Sequence, residues 1–305
     1  IETSQQQENW TPILSSAIST PSNNRIQYNE LNYSSAQYLK ILNIENSLST
    51  SSQIIEIEAF GCYDETSSKI ELDDWYLSIP VDETLYSKSQ SIDETTLVND
   101  YFNAEFFFKS NDGGLVFRAP ISGAKTSSNT KYTRTELREM LRRGNKDIST
   151  QGINENNWVF SSAPTEDQNA AGGVDGKLIA ELAVNKVTTT GDSSQVGRVI
   201  IGQIHANSDE PIRVYYRKLP ENSKGAIYIA HEILDGEDIY FEVIGSKSKS
   251  AINPENGIAL NERFGYEIQV TGNELKFTLM RTGFDDIVKV VDMSNSGYQQ
   301  GGQYM

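Results

Sequence analysis

Short runs of alternating apolar and polar residues recur along this chain, with turn residues between them. Successive side chains of a β-strand point to opposite faces, so this period of two predicts strands with one buried face. The predicted strands are Ile54–Phe60, Trp75–Ile79, Ala104–Phe108, Gly114–Arg118, Lys177–Val184, Arg198–His205, Ile212–Lys218, Ala226–Ile233, Tyr240–Ile244, Tyr266–Val270, Leu275–Arg281 and Ile287–Val291. Many short strands at this spacing predict an all-β sandwich or jelly roll.

The segment Arg134–Arg138 (RTELR) fits two periods. Its charged residues alternate as on a strand, but Leu137, Met140 and Leu141 are also spaced as one face of a helix. The β pattern around the segment favours a strand, which places its three charged residues on one face.

A second strand-like segment, Gln203-Ile204-His205, places an amide and an imidazole on one face. Together with the two guanidiniums of RTELR, these groups suit a substrate that bears a carboxylate and must lose a proton. That chemistry is typical of a lyase acting on polyuronates. His231, in Ala230-His231-Glu232, has no comparable neighbours and is predicted to be structural.

The charge balance excludes one class of partner. The formal net charge is −16, from 42 acidic and 26 basic residues, whereas nucleic-acid-binding proteins usually show the opposite balance. Between positions 117 and 146, however, eight basic residues accompany two acidic ones. Such a basic island is either a solvated face or the wall of a groove, and the strand period favours the groove.

Several other chemistries lack the residues they need. With two histidines and one cysteine, Cys62, neither a histidine-rich metal site nor an intrachain disulfide is expected. The acidic pattern of a retaining glucanase fails in Glu71–Tyr76, which ends in tyrosine, and Gly172–Gly176 lacks the Lys-Ser/Thr ending of a phosphate-binding loop. We predict no cofactor and no metal, although calcium bound by loop acids such as Asp235, Glu237 and Asp238 is left open.

Three blocks resemble the alginate lyases of polysaccharide lyase family 7. They are Tyr132–Met140 (YTRTELREM), Val196–His205 (VGRVIIGQIH) and Glu210–Pro220 (EPIRVYYRKLP), and the resemblance extends from Asp74 to the end of the chain. RTELR and QIH in this order and near this separation are a specific signal. The resemblance implies a jelly-roll β-sandwich with an open cleft, acting on alginate or a related acidic polysaccharide.

The same resemblance implies roles for individual residues. Arg134 and Gln203 would hold the uronate carboxylate at the cleaved bond, and His205 would lie over the C5 proton. The substrate-binding residues would be Glu136, Arg138, Tyr215, Arg217 and Lys218. In the family, the QIH form tends to accompany guluronate-containing blocks.

One departure concerns the C-terminus. The family has a third motif of the form YFKAGxYNQ, which supplies a catalytic tyrosine, and this sequence ends at Met305 where that motif should begin. Tyr304 does not match the motif. We therefore expect this chain to lack the family's proton donor.

The first 63 residues show a weaker resemblance to the later half of a discoidin-type carbohydrate-binding module, in Asn9–Thr11, Ala36–Ile41 and Ile54–Cys62. The alternative is an N-terminal β extension of the lyase. The predicted organisation is a partial module at 1–63, a linker at 64–73 and a lyase-like jelly roll at 74–305.

Together these observations predict an alginate lyase that cuts within the polymer, secreted or periplasmic, with no membrane partner. No apolar run approaches the roughly 20 residues that span a bilayer. The N-terminus lacks a signal-peptide pattern, so an export signal is expected to have been removed or to lie outside this sequence. Two alternatives remain: a lyase for another polyuronate such as glucuronan, and a protein that binds alginate without cutting it.

Overall fold

The computed structural model describes residues 70–82, 89–128 and 130–305, and the backbone of three short strands nearer the N-terminus. The chain divides into two units, Ile1–Cys62 and Tyr63–Met305. In the first unit, β1 (Glu2–Ser4) lies between β2 (Thr11–Pro12) and β3 (Tyr38–Lys40) and is antiparallel to both.

Most of the residues on which the carbohydrate-binding module was predicted lie outside the described residues. This applies to the predicted strand Ile54–Phe60 and to the greater part of the linker at 64–73. The module and its boundaries therefore stay a prediction.

The second unit is built almost entirely from strands. Its elements are β4 (Trp75–Asp82), β5 (Ser89–Ile92), α1 (Glu94–Leu97), β6 (Phe107–Lys109), β7 (Leu115–Phe117), β8 (Glu136–Glu139), β9 (Trp158–Val159), α2 (Thr165–Ala170), β10 (Gly173–Val174), β11 (Gly176–Ala183), β12 (Arg198–Ile204), β13 (Ile212–Arg217), β14 (Lys224–Glu232), β15 (Asp238–Ile244), β16 (Ile258–Ala259), β17 (Arg263–Thr271), β18 (Glu274–Met280) and β19 (Ile287–Asp292). Among the described residues, no helix is long and apolar enough to cross a bilayer.

Two antiparallel sheets enclose the main core. One has the strand order β12-β13-β14-β15, with β16 paired to β14, and the other has the order β11-β17-β18-β19. Along β17 buried and more exposed residues alternate, as the period of two requires. Ile212, Ile229, Ile268 and Phe277 are at most 1% exposed in this core, and burying each such side chain contributes about 1.5–3 kcal/mol. The prediction of an all-β jelly-roll sandwich is confirmed.

A third sheet, with the order β5-β4-β8, positions the RTELR segment. Leu77 of β4 pairs with Leu137 of β8 and is fully buried in a second, smaller core. The pairing settles the helix-or-strand alternative for Leu137 in favour of a strand. Beside this sheet, Arg142 forms an ion pair with the buried carboxylate of Glu94, with Nε and Oε1 2.6 Å apart.

The sequence patterns missed the shortest elements, among them β5, β9, α1 and α2. Helix α1 forms because Asp93 caps its N-terminus, accepting a hydrogen bond from the amide of Thr96 at 2.9 Å. Lys146 lies 2.7 Å from the other oxygen of Asp93 and ties the following loop to this cap. Helix α1 spans only four residues, too few to show a helical period, and depends on this cap and on a distant partner instead.

Candidate active site

Arg134 and Glu136 form an ion pair at the start of β8. Nη1 of Arg134 lies 3.1 Å from Oε1 of Glu136, and the side chains are 29% and 28% exposed. Arg134 itself precedes the strand, which begins at Glu136 rather than at the predicted position. Because side chains alternate along a strand, Arg138 projects to the same face as Glu136, where it is exposed.

A β-bulge in β12 sets the direction of Gln203. The register with β13 shifts between Ile200 and Gly202, and one extra residue is inserted there. Arg198 and Gln203 thereby lie on the same side of the sheet, turned away from the main core. We call this side the open face; it bears Arg198, Gln203, Arg213, Tyr215, Tyr228 and Tyr240.

Glycine is required at the bulge because another side chain occupies the space beside it. A Cβ at position 202 would lie 2.1 Å from the hydroxyl oxygen of Tyr266. That hydroxyl donates a hydrogen bond of 2.7 Å to the carbonyl of Ile201 and so fixes the bulge from the core side. The local sequence Ile201-Gly202-Gln203 thus directs the amide of Gln203 onto the open face.

His205 follows directly after β12, and its side chain is 36% exposed. Its Nδ1 contacts the carbonyl oxygen of Ala206. Since a carbonyl can only accept, Nδ1 holds the proton and Nε2 is the free base. Oε1 of Glu210 lies 3.8 Å from Nε2. The basic nitrogen is therefore next to a carboxylate and accessible to solvent.

The fold brings the end of β12 close to the RTELR segment. Burial of the ring lowers the pKa of His205 below its ordinary value, and the positive charges of Arg138 and Arg134 lower it further. The negative charge of Glu136 acts in the opposite direction. At neutral pH the imidazole is neutral and can accept a proton. Arg134, Glu136, Arg138, Gln203 and His205 are thus assembled in one region.

An ion-pair network lies beside His205, and the sequence patterns did not reveal it. The guanidinium of Arg213 contacts Asp238 and lies 3.3 Å from Glu232 and 3.8 Å from Glu210. Glu232 also accepts a hydrogen bond of 3.1 Å from the amide of Glu210. Burial, and then the hydrogen bond to the side chain of Glu210, raise the pKa of Glu232. The sequence feature that could have indicated this network is the alternation of Arg213, Tyr215 and Arg217 along β13, which places Arg213 on the same face as Tyr215.

This network also bears on the calcium site that the sequence left open. The carboxylate of Asp238 contacts Arg213 and accepts a hydrogen bond of 2.9 Å from the hydroxyl of Tyr240. Because both of its oxygens already have partners, the structure offers no support for Asp238 as a calcium ligand.

Tyr215 and Arg217 lie on the open face, but both are buried there. Tyr215 is 3% exposed and stacks on Tyr228, with ring centroids 4.9 Å apart. Arg217 is 5% exposed and donates hydrogen bonds to the backbone carbonyls of Ser193, Val196 and Lys247. Its donors are used to hold the neighbouring loops. Both side chains are thus packed against protein atoms, and their contact with substrate stays a prediction.

Lys218 is not brought to the open face. Strand alternation gives it the same side as Tyr216, which is fully buried in the main core and donates its hydroxyl to the carbonyl of Ile258 at 2.9 Å. The amide of Lys218 is bound to the carbonyl of Gly197 just beyond the end of β13. Lys218 thus lies on the opposite side of the strand from Tyr215 and Arg217, and its contact with substrate stays a prediction.

Three cations of the basic island are used in ion pairs within the protein. Arg142 is paired with Glu94, Arg143 with Asp73 and Asp74, and Lys146 with Asp93, so these three cations hold the loop after β8. Arg134 and Arg138, by contrast, lie close enough to His205 for their charges to lower its pKa.

His231 has the structural surroundings that its sequence context predicts. It is 1% exposed, and its Nδ1 donates to the carbonyl of Pro211 at 2.7 Å. Its Nε2 accepts from the hydroxyl of Ser296 at 2.6 Å. Both ring nitrogens are satisfied inside the protein.

Comparisons with known proteins identify relatives of this chain. A family model described as "Alginate lyase" matches residues 70–305. A curated alginate lyase from Klebsiella pneumoniae is 57% identical over 246 residues, which cover 78% of this chain and 80% of that protein. The crystal structure of an alginate lyase from K. pneumoniae, also 57% identical, matches with a TM-score of 0.76 over 77% of this chain and 86% of that one.

More distant structures share the fold. An exolytic family 7 alginate lyase from Zobellia galactanivorans is 27% identical, with a TM-score of 0.53 over 72% of this chain and 66% of that one. An alginate lyase from Pseudomonas aeruginosa has 22% identity and a TM-score of 0.52 over 77% of this chain and 89% of that chain. At that identity the similarity concerns the fold alone.

Proposed function

This chain belongs to the alginate lyase family and is a polysaccharide lyase, and we propose that it cuts alginate within the polymer, at guluronate-containing blocks, with His205 as the base. The observation on which this proposal rests is a neutral imidazole beside two arginines. Arg134 and Arg138 lie close enough to His205 for their charges to lower its pKa. A neutral base in a positively charged niche suits proton removal next to a carboxylate.

The substrate carboxylate must be neutralised before the C5 proton can leave, because an anionic carboxylate makes that proton very weakly acidic. Arg134 is always charged and can bind a carboxylate with two parallel hydrogen bonds. Gln203 can donate a hydrogen bond to the oxygen on which charge grows. A donor aimed at the developing charge contributes roughly 3 kcal/mol to stabilisation of the transition state.

Elimination then proceeds without water as a reactant. Nε2 of His205 takes the C5 proton, the C5–H electron pair forms the double bond between C4 and C5, and the C4–O bond breaks. The departing oxygen takes up a proton from solvent, and the imidazolium of His205 later releases its proton to solvent, so that no water is consumed. A general base whose pKa lies near the working pH accelerates the reaction by a factor of roughly 10²–10⁴. The positive charge formed on the imidazole is stabilised by Glu210, 3.8 Å from Nε2.

Cutting within the polymer is supported by the extent of the open face. Polar and aromatic residues, interrupted on β12 by the exposed Ile200, extend from Gln203 to Arg198 and across the sheet to Tyr240. A polymer could be held there on either side of the cleaved bond. The preference for guluronate rests on the resemblance of the QIH segment alone.

Action outside the cytoplasm is part of the same proposal. Alginate is a polymer too large to cross a membrane unaided, so its degradation must begin where the polymer is found. Fractionation of the producing cells, followed by an assay of each fraction, tests this location.

The first experiment combines two readouts on alginate, polyguluronate, polymannuronate and glucuronan. Ultraviolet absorbance measures the conjugated unsaturated uronate formed at each cut, and viscosity measures polymer length. We expect absorbance to rise fastest with polyguluronate, and viscosity to fall early because internal cuts shorten the polymer quickly. A viscosity that falls only in proportion to released monomer would contradict internal cutting. Faster turnover of glucuronan than of alginate would show that glucuronan is the preferred substrate.

A further inference from the structure

A second basic site lies on the open face, at the end of β12 remote from His205. A cavity of about 280 Å³ opens there. Its walls include Arg198, Arg217, Tyr228, Tyr240, Lys247 and Lys249, and we call it the distal pocket. From Arg198 to His205 the strand advances seven residues, or roughly 20 Å at about 3.3 Å per residue. The pocket is therefore separate from the base.

The charge of the distal pocket is opposite to that of the protein. Among the described residues, its lining contains four cationic residues and no carboxylate, whereas the whole chain has a net charge of −16. Acidic residues do lie outside the lining: Glu242 accepts the amide of Lys247 at 3.0 Å, and Asp192 lies near Lys249. Glu242 pairs with Tyr228 on the open face, but its carboxylate is engaged by the hydroxyl of Ser246 and the amide of Lys247. The four cations of the lining therefore still favour an anion.

Arg217 strengthens this preference. It is 5% exposed and donates hydrogen bonds to three backbone carbonyls, and among the described residues it forms no ion pair. A buried cation without a carboxylate is costly, and an anion in the adjoining cavity would offset that cost. Through the same bonds Arg217 fixes the loops that bear Ser193 and Lys247, so the walls of the pocket are held in place before a ligand arrives.

Aromatic rings form one side of the distal pocket. Tyr228 stacks on Tyr215, and the Tyr240 ring centroid lies 6.2 Å from that of Tyr228. Nζ of Lys247 lies 4.3 Å from the centroid of Tyr240, and the guanidinium of Arg198 lies 5.1 Å from that of Tyr215. Cations held against aromatic rings are positioned rather than free in solvent. Flat rings beside cations suit a ligand with an apolar ring face and a carboxylate.

We propose that the distal pocket binds one uronate residue of the polymer several sugar units from the cleaved bond, with its carboxylate between Arg198 and Lys247 and its ring against Tyr240. This inference rests on the proposed function for the identity of the polymer. The site anchors long chains and contributes nothing to the chemical step. Short oligouronates that reach only the region of His205 do not occupy it.

The test compares substrates of different length at one ionic strength, because exposed charges are screened by salt. The variant Lys247→Gln/Lys249→Gln removes two charges from the rim and keeps the side-chain length. We expect kcat/KM for long oligouronates to fall about tenfold, equivalent to about 1.4 kcal/mol, and turnover of the shortest cleavable oligomer to stay within about twofold of the parent. The matched control is Lys276→Gln/Lys289→Gln, on β18 and β19 of the other sheet, which makes the same charge change away from the open face.

Three results would contradict uronate binding in the distal pocket. They are an equal loss of kcat/KM on short and long substrates, no loss on either, and the same loss in the control variant. Direct binding separates this proposal from the proposed function. In a His205→Ala background, calorimetric titration with a long oligouronate should show weaker binding when Lys247 and Lys249 are replaced. If the parent protein, with His205 intact, turned over no uronate polymer, the same weakening of binding would support the pocket and reject the proposed function. Unchanged binding would reject the pocket, whatever the activity.

Discussion

Oε1 of Glu210 lies 3.8 Å from Nε2 of His205, the nitrogen that is free to accept a proton. Glu210 is in turn held by Arg213, whose Nη1 lies 3.8 Å from its Oε2. A base whose orientation and charged form are supported by a third group is a recurring arrangement in enzymes. Here the carboxylate of Glu210 would stabilise the imidazolium of His205. Because that imidazolium forms only when the C5 proton is transferred, the stabilisation acts on the chemical step and not on substrate binding.

Glu210→Gln should therefore lower kcat and leave KM nearly unchanged. We expect a decrease of roughly fivefold, because a partly exposed ion pair contributes about 1 kcal/mol. Initial rates of absorbance increase over a range of alginate concentrations give both parameters. Glu237→Gln, at an exposed turn position, is the control of equal charge. A change in KM with kcat preserved would assign Glu210 to substrate binding instead.

The two histidines should respond differently to removal. His205→Ala should lose turnover by a factor of roughly 10²–10⁴ while alginate binding is largely kept. His231→Ala should lose stability, by about 1–3 kcal/mol, because the partners of its ring at Pro211 and Ser296 become unsatisfied inside the protein. Activity per folded molecule and thermal unfolding distinguish the two. Near-normal turnover of the His205 variant would reject its role as base.

The pKa of His205 can be moved in both directions. Arg138→Gln removes a positive charge that opposes protonation, so the pKa should rise; Glu136→Gln removes a negative charge that favours protonation, so it should fall. With only two histidines in the chain, NMR titration follows each ring separately, and His231 is the internal reference. The acid limb of kcat/KM should move with the titration. Shifts of the same sign in both variants would show that the charges of β8 do not act on His205.

Arg134 is the proposed partner of the substrate carboxylate. Arg134→Ala should weaken both binding and turnover, and Arg134→Lys should restore charge but not the paired hydrogen bonds. We therefore expect lysine to recover binding more completely than kcat. Calorimetry on a His205→Ala background measures binding, and absorbance in the His205 parent measures kcat. Unchanged binding in Arg134→Ala would count against the carboxylate clamp.

Gly202→Ala tests the bulge that directs Gln203. The new methyl group would lie 2.1 Å from the hydroxyl oxygen of Tyr266, so either the ring or the strand must move. We expect a destabilisation of about 1–3 kcal/mol and a loss of kcat, since Gln203 is the next residue. Gly173→Ala, whose nearest neighbour is 3.4 Å away, is the comparison. Equal thermal stability of the two variants would show that the bulge tolerates a side chain.

Local patterns in the sequence determined most of the strands and the fold class. The alternation in segments such as Arg263–Thr271 reflects burial on one face of a sheet, which is a local property. The RTELR and QIH segments were likewise visible as pairs of polar residues spaced by two. Short elements such as α1 were missed, because their stability comes from a cap and from distant partners such as Lys146.

The tertiary structure alone decided which of the polar residues share a site. Arg217 and Lys218 are adjacent basic residues, yet register buries one against backbone carbonyls and turns the other to the opposite face. The approach of Arg138 to His205 and the placing of Glu210 depend on strands far apart in the chain. Electrostatic interactions act through space, so the lowered pKa of His205 and the basic distal pocket arise only once those strands have packed.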